Sequence, residues 1–510
     1  MPETLRLAEL MAALSLATDL GMGQPLEQAL RTGLVALGLA ERLGVRGEEL
    51  SEVYYVALLR FLGCTADAHE IAQMAGGDDM ALRAAVAPVM GGAQREFAGQ
   101  VMPVLGAGQP PLRRARLVAG MMRNGQQRAR EGVRADCEMA ERLAGRLGLP
   151  PGVQRALGMA FEQWNGRGMP NRVRGEDMPL SARIVYVARD VEVLHRLRGA
   201  ERVRDAVRRR SGAAYDPSVC AALLDCGDEL LARTHVESPW REILAAEPEP
   251  RPWVPEARLD DVLTAFADFV DMKSPWTAAH SRGVAELAAA AADAAEESTL
   301  RHAGLLHDIG RVSVPNGIWD KPGPLSDGEW EKVRLHPYYS ERIAGRVTAL
   351  DHLATLVGMH HERIDGSGYH RGTARAEIPS AARVLAAADA YQAMTQPRPH
   401  RDALPADRAA GELEVMARAG RLDAEAVSAV LGAAGHRVHG VLAAWPAGLT
   451  EREVEVLRLI CRGGTKKQVA ARMGISPRTV DHHVRHIYDK AGVHTRAGAT
   501  LFALEHDLLR

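Results

Sequence analysis

The sequence predicts an all-α protein made of several domains. Aromatic residues make up only 4% of the chain, and apolar residues recur at helical spacing in stretches such as VYYVALLRFL and RVLAAADAYQAM. A chain of 510 residues is longer than one hydrophobic core usually supports. We therefore expect three helical domains.

Two breaks in the helical pattern predict the domain boundaries. The stretch ESPWREILAAEPEPRPWVPEARLD is rich in proline and charge and predicts a linker over residues 236–258. A shorter break, HRVHGVLAAWPAG, predicts a second linker over 435–448. The three domains are then expected at 1–235, 259–434 and 449–510.

The first two domains are predicted to be diverged copies of one helical unit. RADCEMAER at 134 matches RLHPYYSER at 334, and FEQWNGRGMPNRVRGEDMPLSAR at 161 matches HERIDGSGYHRGTARAEIPSAAR at 361. Upstream, ALLRFLG at 57 matches GLLHDIG at 304, and LSLATDLGMGQPLEQ at 14 can be laid on FADFVDMKSPWTAAH at 266. The first copy has Arg60, Phe61, Ala160 and Phe161 at four positions where the second has histidine or aspartate, so we expect it to bind no metal.

The second copy carries a set of residues of the types that ligate metals. Imidazoles and carboxylates without thiolates suit Fe, Mn or Zn at a hydrolytic centre. A carboxylate on the otherwise apolar helix RVLAAADAY would be costly without a cation. The candidate ligands are His280, His307, Asp308, His336, His360, His361 and Asp389.

The order TAAHS, LLHDIGR, LHP, HHERIDGSGYH and AAADAY resembles the HD-GYP branch of the HD superfamily over about residues 258–434. The resemblance implies a metal-dependent phosphodiesterase that acts on a cyclic dinucleotide, most often cyclic di-GMP. It implies that His280, His307, Asp308 and Asp389 hold one divalent transition metal, with Asp308 bridging to a second. His336, His360 and His361 would hold that second ion, and Trp276 stands where some members have an acidic ligand for a third.

The same resemblance implies a set of residues that contact the substrate or take part in catalysis. Arg311 stands where HDIGK is usual and keeps the positive charge. The family's GYP reads GYH here, so His370 removes the fixed φ of proline. The substrate contacts implied are Arg311, Asp365, Gly366, Gly368, Tyr369, Arg398 and Arg401, with Asp308 and Arg311 as the catalytic residues.

The C-terminal segment from Leu449 predicts four short helices and a helix-turn-helix, with Thr450 and Ser476 as N-caps. It carries eleven Lys and Arg against seven Asp and Glu, on a chain of net charge -2. It resembles the LuxR-type DNA-binding domain along its whole length, which implies binding to double-stranded DNA. The residues implied to face DNA are Lys466, Lys467, Arg478, Thr479, Val480, His483 and Arg485, and Asp481 departs from the Lys that the family commonly has.

Composition restricts the setting in which the chain acts. Five scattered cysteines without metal-type spacing argue against a disulfide framework and favour a cytoplasmic protein. The N-terminus lacks the basic start of a signal peptide, and no apolar run is long enough to cross a bilayer. Because one small helix-turn-helix covers only a half-site, we expect a homodimer.

Two alternatives remain open at this stage. The GYH loop and Arg311 favour a transcription regulator that binds a nucleotide and hardly turns it over. The breadth of the HD superfamily leaves room for a hydrolase of another nucleotide phosphate.

Overall fold

The computed structural model describes residues 5–436, 445–461, 464–506 and 508. In this part of the chain almost all regular structure is helical, which confirms the all-α prediction. Two short strands, β1 (Leu5–Arg6) and β2 (Trp253–Val254), pair antiparallel. The helices up to the second strand are α1 (Leu7–Gly21), α2 (Gln28–Arg42), α3 (Gly47–Leu59), α4 (Ala68–Ala75), α5 (Asp79–Val86), α6 (Gln94–Val104), α7 (Pro111–Arg146), α8 (Pro151–Gly158), α9 (Leu180–Arg210), α10 (Pro217–Asp225), α11 (Gly227–Ala232) and α12 (Pro239–Ala245).

The second copy repeats this order with a shorter segment after its third helix. Its helices are α13 (Leu259–Asp271), α14 (His280–Ala290), α15 (Glu297–Leu306), α16 (Asn316–Trp319), α17 (Asp327–Arg334), α18 (His336–Ala344), α19 (Asp351–Gly358), α20 (Ser380–Thr395), α21 (Ala406–Arg418) and α22 (Ala424–Ala433).

One local contact is repeated in both copies, which supports their common origin. The carboxylate of Asp19 accepts a hydrogen bond from the backbone N–H of Ala29 at 3.1 Å. The carboxylate of Asp271 accepts one from the backbone N–H of Ser281 at 2.8 Å, at the matching positions. The first copy differs mainly between α3 and the end of α7, where an extra segment folds as α4–α6 and the beginning of α7.

The two copies share one continuous core of buried leucine, valine, alanine and aromatic side chains. The predicted 236–258 linker is packed rather than extended, because it contributes α12, β2 and the buried carboxylate of Glu247, which accepts from Tyr55 Oη at 2.9 Å. All five cysteines lie in the described part and are free thiols. None of the helices in the described ranges combines the length and apolar character needed to cross a membrane.

The C-terminal helices form a separate small core. They are α23 (Glu451–Cys461), α24 (Lys466–Met473), α25 (Pro477–Ala491) and α26 (Arg496–Glu505). The Ser476 hydroxyl caps α25 by accepting from the N–H of Thr479 at 3.1 Å, as predicted. The predicted second linker lies largely outside the described residues, which omit 437–444.

Candidate metal centre and DNA-binding surface

The seven candidate ligands converge from five parts of the second copy. His280 opens α14, His307 and Asp308 follow α15, and His336 opens α18. The remaining three are His360 and His361, which follow α19, and Asp389 inside α20. Six of them are buried and His361 is half-buried, so helix ends and one apolar helix bring the whole set into the protein interior.

The carboxylate of Asp308 lies between two pairs of imidazoles. Its Oδ2 atom lies 3.9 Å from Nε2 of His280 and 3.5 Å from Nε2 of His307. Its Oδ1 atom lies 3.3 Å from Nε2 of His336 and 3.7 Å from Nε2 of His360. Each oxygen therefore faces a different pair of histidines, as expected of a carboxylate that bridges two ions about 3.5–4 Å apart.

Asp389 closes the arrangement from the apolar helix. Its Oδ1 atom lies 3.2 Å from Nε2 of His280 and 4.0 Å from Nε2 of His307, and its Oδ2 atom lies 3.7 Å from Nδ1 of His361. Ligand atoms within 4.8 Å of one another form three groups in the described residues. These are His280–His307–Asp389, His307–Asp308–His360 and His336–His360–His361, all in the second copy.

Hydrogen bonds at Nδ1 fix the orientation of four of these rings. Nδ1 of His307, His336 and His360 each donates to the carbonyl three residues earlier, at 2.7, 2.7 and 2.6 Å. Nδ1 of His280 lies 2.9 Å from Oε1 of Gln396. A proton held at Nδ1 leaves Nε2 with its lone pair directed to the centre, which is the tautomer that ligates a metal.

The electrostatics of the site favour charged carboxylates at Asp308 and Asp389 and neutral imidazoles at His360 and His361. Burial raises the pKa of a carboxyl group, but at Asp389 the neighbouring histidines outweigh this effect. At Asp308 the neighbouring histidines and Arg311 outweigh it together. Both pKa values therefore lie well below the usual range. Burial and the adjacent imidazoles lower the pKa of His360 to about 3, and burial with His360 lowers the pKa of His361. These are the protonation states that metal binding requires.

A buried nitrogen atom without a hydrogen-bond partner tests whether the site fits a cation. Nε2 of His307 is buried and has no hydrogen-bond partner in the described structure. Such an atom costs free energy unless something binds it. The unpartnered nitrogen and the all-imidazole and carboxylate donor set therefore fit divalent transition metals.

Arg311 is held against the centre by an ion pair and an aromatic ring. Its Nη1 lies 3.0 Å from Oδ2 of Asp308. The guanidinium carbon lies 3.9 Å from the ring centroid of Trp319, whose Nε1 donates to the Arg311 carbonyl at 3.3 Å. Stacking and pairing together fix the planar group at the edge of the metal site.

The two downstream arginines differ in their surroundings. Arg398 donates from Nη1 to the Trp276 carbonyl at 2.9 Å, and its Nη2 lies 3.4 Å from Nδ1 of His280. Burial and the charge of Arg311 lower the pKa of Arg398 to about 10. Arg401 instead donates to backbone carbonyls after and within the end of α20, those of Ala393, Met394, Gln396 and Asp402. Its guanidinium is therefore used to fix the loop.

The loop after α19 brings one aromatic ring to the centre. The ring of Tyr369 lies 4.7 Å from that of His361. A Cβ at Gly368 would lie 2.4 Å from the Arg363 nitrogen, so only glycine fits there, and Gly366 has a φ of 76°. The carboxylate of Asp365 accepts from the N–H and hydroxyl of the residue two positions on, which shapes the turn rather than pointing into the site.

In the first copy, the equivalent space is filled by aromatic rings and arginines. The rings of Phe61 and Phe161 lie 6.3 Å apart, and the Arg60 guanidinium carbon lies 5.7 and 5.5 Å from them and 4.8 Å from the Tyr186 ring. Arg60 is 3% exposed, and its three guanidinium nitrogens have no hydrogen-bond partner in the described structure. Arg189, which the repeat aligns with Asp389, is also buried. Two buried arginine side chains therefore lie in the space that matches the metal centre.

The predicted recognition helix, α25, presents a mixed surface. Arg478, Thr479 and Arg485 are exposed and His483 is half-exposed, and their contact with DNA stays a prediction. The prediction for Val480 was wrong, because its side chain is 0% exposed and packs in the small core. Valine at this position follows the apolar face of the helix and cannot contact DNA.

Asp481 forms ion pairs with two of the cations that are predicted to face DNA. Lys466 pairs with its Oδ1, and Nη2 of Arg485 lies 3.1 Å from its Oδ2. Lys467 is exposed on α24, beside Lys466. The acid therefore lowers the positive charge of the helix-turn-helix surface at its centre.

Comparison with known proteins assigns the two helical copies to a family. The HD domain family matches residues 126–219 and 264–426. One relative in sequence is the 3'3'-cGAMP-specific phosphodiesterase 3 of Vibrio cholerae, 31% identical over 423 residues that cover 81% of this chain and 91% of the relative. The chain belongs to the HD domain family.

Other comparisons agree with the HD assignment. The cyclic di-GMP phosphodiesterase of Thermotoga maritima is 38% identical over 117 residues, covering 22% of this chain and 32% of the relative. A crystal structure of a cyclic GMP-AMP specific phosphodiesterase from V. cholerae has a TM-score of 0.59 at 26% identity, covering 85% of this chain and 99% of that one. Residues 447–503 match the luxR family of bacterial regulatory proteins.

Some residues of the HD site were missed by the sequence analysis. Gln396 orients His280, and Trp319 stacks on Arg311. Glu362 is 2% exposed and its carboxylate accepts from the N–H of Arg371 and Thr373 at 2.8 and 2.9 Å, which holds the glycine loop closed. A signal for Glu362 was available, because the first copy keeps a glutamate at the matching position, Glu162.

Proposed function

We propose that this HD protein is a metal-dependent phosphodiesterase that hydrolyses a cyclic dinucleotide. The observation that carries the proposal is the position of Asp308, whose two oxygens face separate pairs of histidines. The relative that matches most of the chain is named as a 3'3'-cGAMP phosphodiesterase, and shorter matches are named as cyclic di-GMP phosphodiesterases. Both names support the substrate class.

In the proposed site, His280, His307 and Asp389 would hold one divalent ion and His336, His360 and His361 would hold a second, and Asp308 would contribute to both. Fe or Mn suits this donor set best, and Zn is compatible with it. When bound, such ions activate water and neutralise the charge that develops on a phosphoryl group. The protein supplies neutral imidazoles with their lone pairs fixed in direction and two ionised carboxylates.

The residues around the ions would orient the phosphodiester. Arg311 offers guanidinium donors beside Asp308, and Arg398 offers a second cation next to His280. The Tyr369 ring offers a face on which a base can stack. We assign to Arg401 a role in holding the loop, because its donors are engaged by carbonyls.

The experiment is a product analysis with metal-loaded protein and a substrate panel. Cyclic GMP-AMP, cyclic di-GMP, cyclic di-AMP and linear nucleotide phosphates are incubated with wild type and with Asp308→Ala. We expect a cyclic dinucleotide to be opened to a linear product by wild type alone, with cyclic GMP-AMP the first candidate from the long match. Hydrolysis of the linear phosphates alone would contradict the proposal.

A second candidate function is a ligand-gated regulator with weak turnover. The observation that favours it is the ion pair of Arg311 with Asp308, together with the GYH loop in place of GYP. In the same experiment it predicts tight binding of a cyclic dinucleotide with little product.

We further propose that the C-terminal domain binds double-stranded DNA as part of a cytoplasmic homodimer, with domains bounded at 1–235, 259–434 and 449–510. Arg478, exposed at the start of α25, is the best-placed DNA contact. Arg478→Ala should weaken binding, with a smaller salt dependence if it contacts phosphate and relaxed sequence preference if it reads a base. If the DNA affinity is the same with and without an inert nucleotide analogue, nucleotide binding does not control DNA binding.

A further inference from the structure

A buried carboxylate from the first copy reaches the walls of the metal centre in the second. Asp79 opens α5, inside the extra segment of the first copy, and its side chain is fully buried. Its Oδ2 lies 3.0 Å from Nζ of Lys273, which is 3% exposed. Its Oδ1 accepts from the backbone N–H of Asn316 at 2.7 Å. The inserted segment thus places one charge at the junction of two catalytic-domain segments.

The first of these segments leads into His280. Lys273 precedes Ser274, whose hydroxyl caps the short turn Pro275–Thr277 by accepting from the N–H of Trp276 at 3.3 Å. The carbonyl of Trp276 accepts from Arg398 at 2.9 Å. The position of Lys273 therefore sets where the turn lies, and with it the entry to His280 and the anchor of Arg398.

The second segment carries the ring that stacks on Arg311. Asn316 begins α16, and its side chain donates to the Lys273 carbonyl, which joins the two segments directly. Trp319 ends the same short helix, 3.9 Å from the Arg311 guanidinium carbon and 5.7 Å from the His336 ring. Shifting α16 would move the wall behind both residues.

Close backbone packing makes this junction intolerant of displacement. The N–H of Gly317 donates to the carbonyl of Gly77 at 2.8 Å, and a Cβ at Gly317 would lie 2.3 Å from that oxygen. Asp320, at the far end of α16, accepts from Ser274 at 2.6 Å and lies 2.7 Å from the His69 ring. Contacts from the first copy thus hold α16 at both ends.

We propose that Asp79 is a positioning residue for the metal centre of the second copy, so that the degenerate first copy completes the active site. The inference rests on the proposed function only for its turnover measurement. Its second measurement, metal affinity, needs no substrate. A loss of metal affinity without any detectable hydrolysis of cyclic dinucleotides would therefore support the positioning role and contradict the proposed function alone.

The test compares Asp79→Asn and Asp79→Ala with Asp78→Ala in the full chain. Asp78 is the matched control, because it lies in the same turn and caps α5 through the N–H of Ala81 at 2.8 Å, and it makes no hydrogen bond or ion pair with the described residues of the second copy. We measure kcat, KM, thermal midpoint and the affinity for Mn²⁺ in competition with a chelator. The Asp79 variants should lower kcat and Mn²⁺ affinity about ten-fold or more, as loss of groups behind metal ligands does elsewhere. The control should stay within about two-fold in both while losing stability.

A double variant keeps the proposal open to refutation if Asp79→Ala does not fold. Asp79→Asn with Lys273→Gln removes both charges and retains a hydrogen-bonded pair of similar size. It should recover most of the kcat and Mn²⁺ affinity lost in Asp79→Asn, because the contact is restored. Asp79 variants that match Asp78→Ala in both measurements would overturn the proposal, as would a double variant that folds and is no better than Asp79→Asn.

Discussion

Replacing the buried cation of the first copy should stabilise the protein. Burial, and then the like charge of Arg189, lower the pKa of Arg60 from 12.5 to about 10. At about 1.4 kcal/mol for each factor of ten, keeping this guanidinium charged in the fold costs on the order of 3 kcal/mol. The three aromatic rings return about 1–2 kcal/mol of this through cation–π attraction. Arg60→Met fills a similar volume without charge, so we expect a gain of about 1–2 kcal/mol.

The assay is the thermal midpoint of the first unfolding transition in metal-loaded protein. The gain corresponds to about 2–8 °C for a domain of this size. Arg60→Lys is the matched variant, because it keeps the charge, loses the stacked plane and should lower the midpoint. Arg189→Met should also lower it, since it removes bonds to the Ala87 carbonyl at 2.7 Å and to Asp190 at 2.6 Å. If Arg60→Met lowered the midpoint as much as Arg60→Lys, the desolvation argument would be refuted.

Three further predictions concern the candidate metal centre and the helix-turn-helix surface. Asp308→Ala should reduce bound metal, measured by elemental analysis, and reduce turnover by about 10³-fold or more, because bound ions supply several kcal/mol; unchanged metal content would show that the bridge is misassigned. In metal-free protein, His360 titrates near 6.5 when unfolded and at about 3 when folded, so stability should fall as pH drops from about 6.5 towards 3, by up to about 1.4 kcal/mol per pH unit. His360→Gln should flatten this profile of melting temperature, and an equally steep profile would argue against the assignment. Asp481→Asn should raise DNA affinity in a salt-dependent way by releasing Lys466 and Arg485, and a fluorescence titration that shows weaker binding would favour base recognition by this carboxylate.

The sequence was sufficient for the parts of the molecule that depend on residue type and periodicity. Helical spacing predicted the all-α fold, and the matched stretches at 134 and 334 predicted the tandem HD copies. The seven metal-type residues of the second copy could be picked out by residue type and by their order, which resembles the HD-GYP branch. Asp389 had a further signal, because a carboxylate on an apolar helix needs a compensating partner. The roles assigned to them stay predictions until metal binding is measured.

Other features depend on the face a residue occupies or on contacts distant in sequence. Val480 was expected to face DNA, although its spacing from Ile487 of seven residues is that of one helix face, and both are buried. The donors of Arg401 are satisfied by carbonyls of its own loop, which its sequence context does not reveal. The pair of Asp79 with Lys273 joins residues 194 positions apart, and no local pattern predicts it.

The covalent joining of the two HD copies around one core allows their sequences to diverge separately. In a symmetric homodimer of one HD unit, a substitution such as histidine to arginine at position 60 would appear in both subunits and abolish both sites. Because the two units are covalently joined, one can lose catalysis and acquire inserted helices while its neighbour stays intact. The pair is in effect a heterodimer encoded in one chain, and its halves are always made in equal amounts. Such an arrangement lets natural variation act on the first unit as a modifier while the chemistry of the second is preserved.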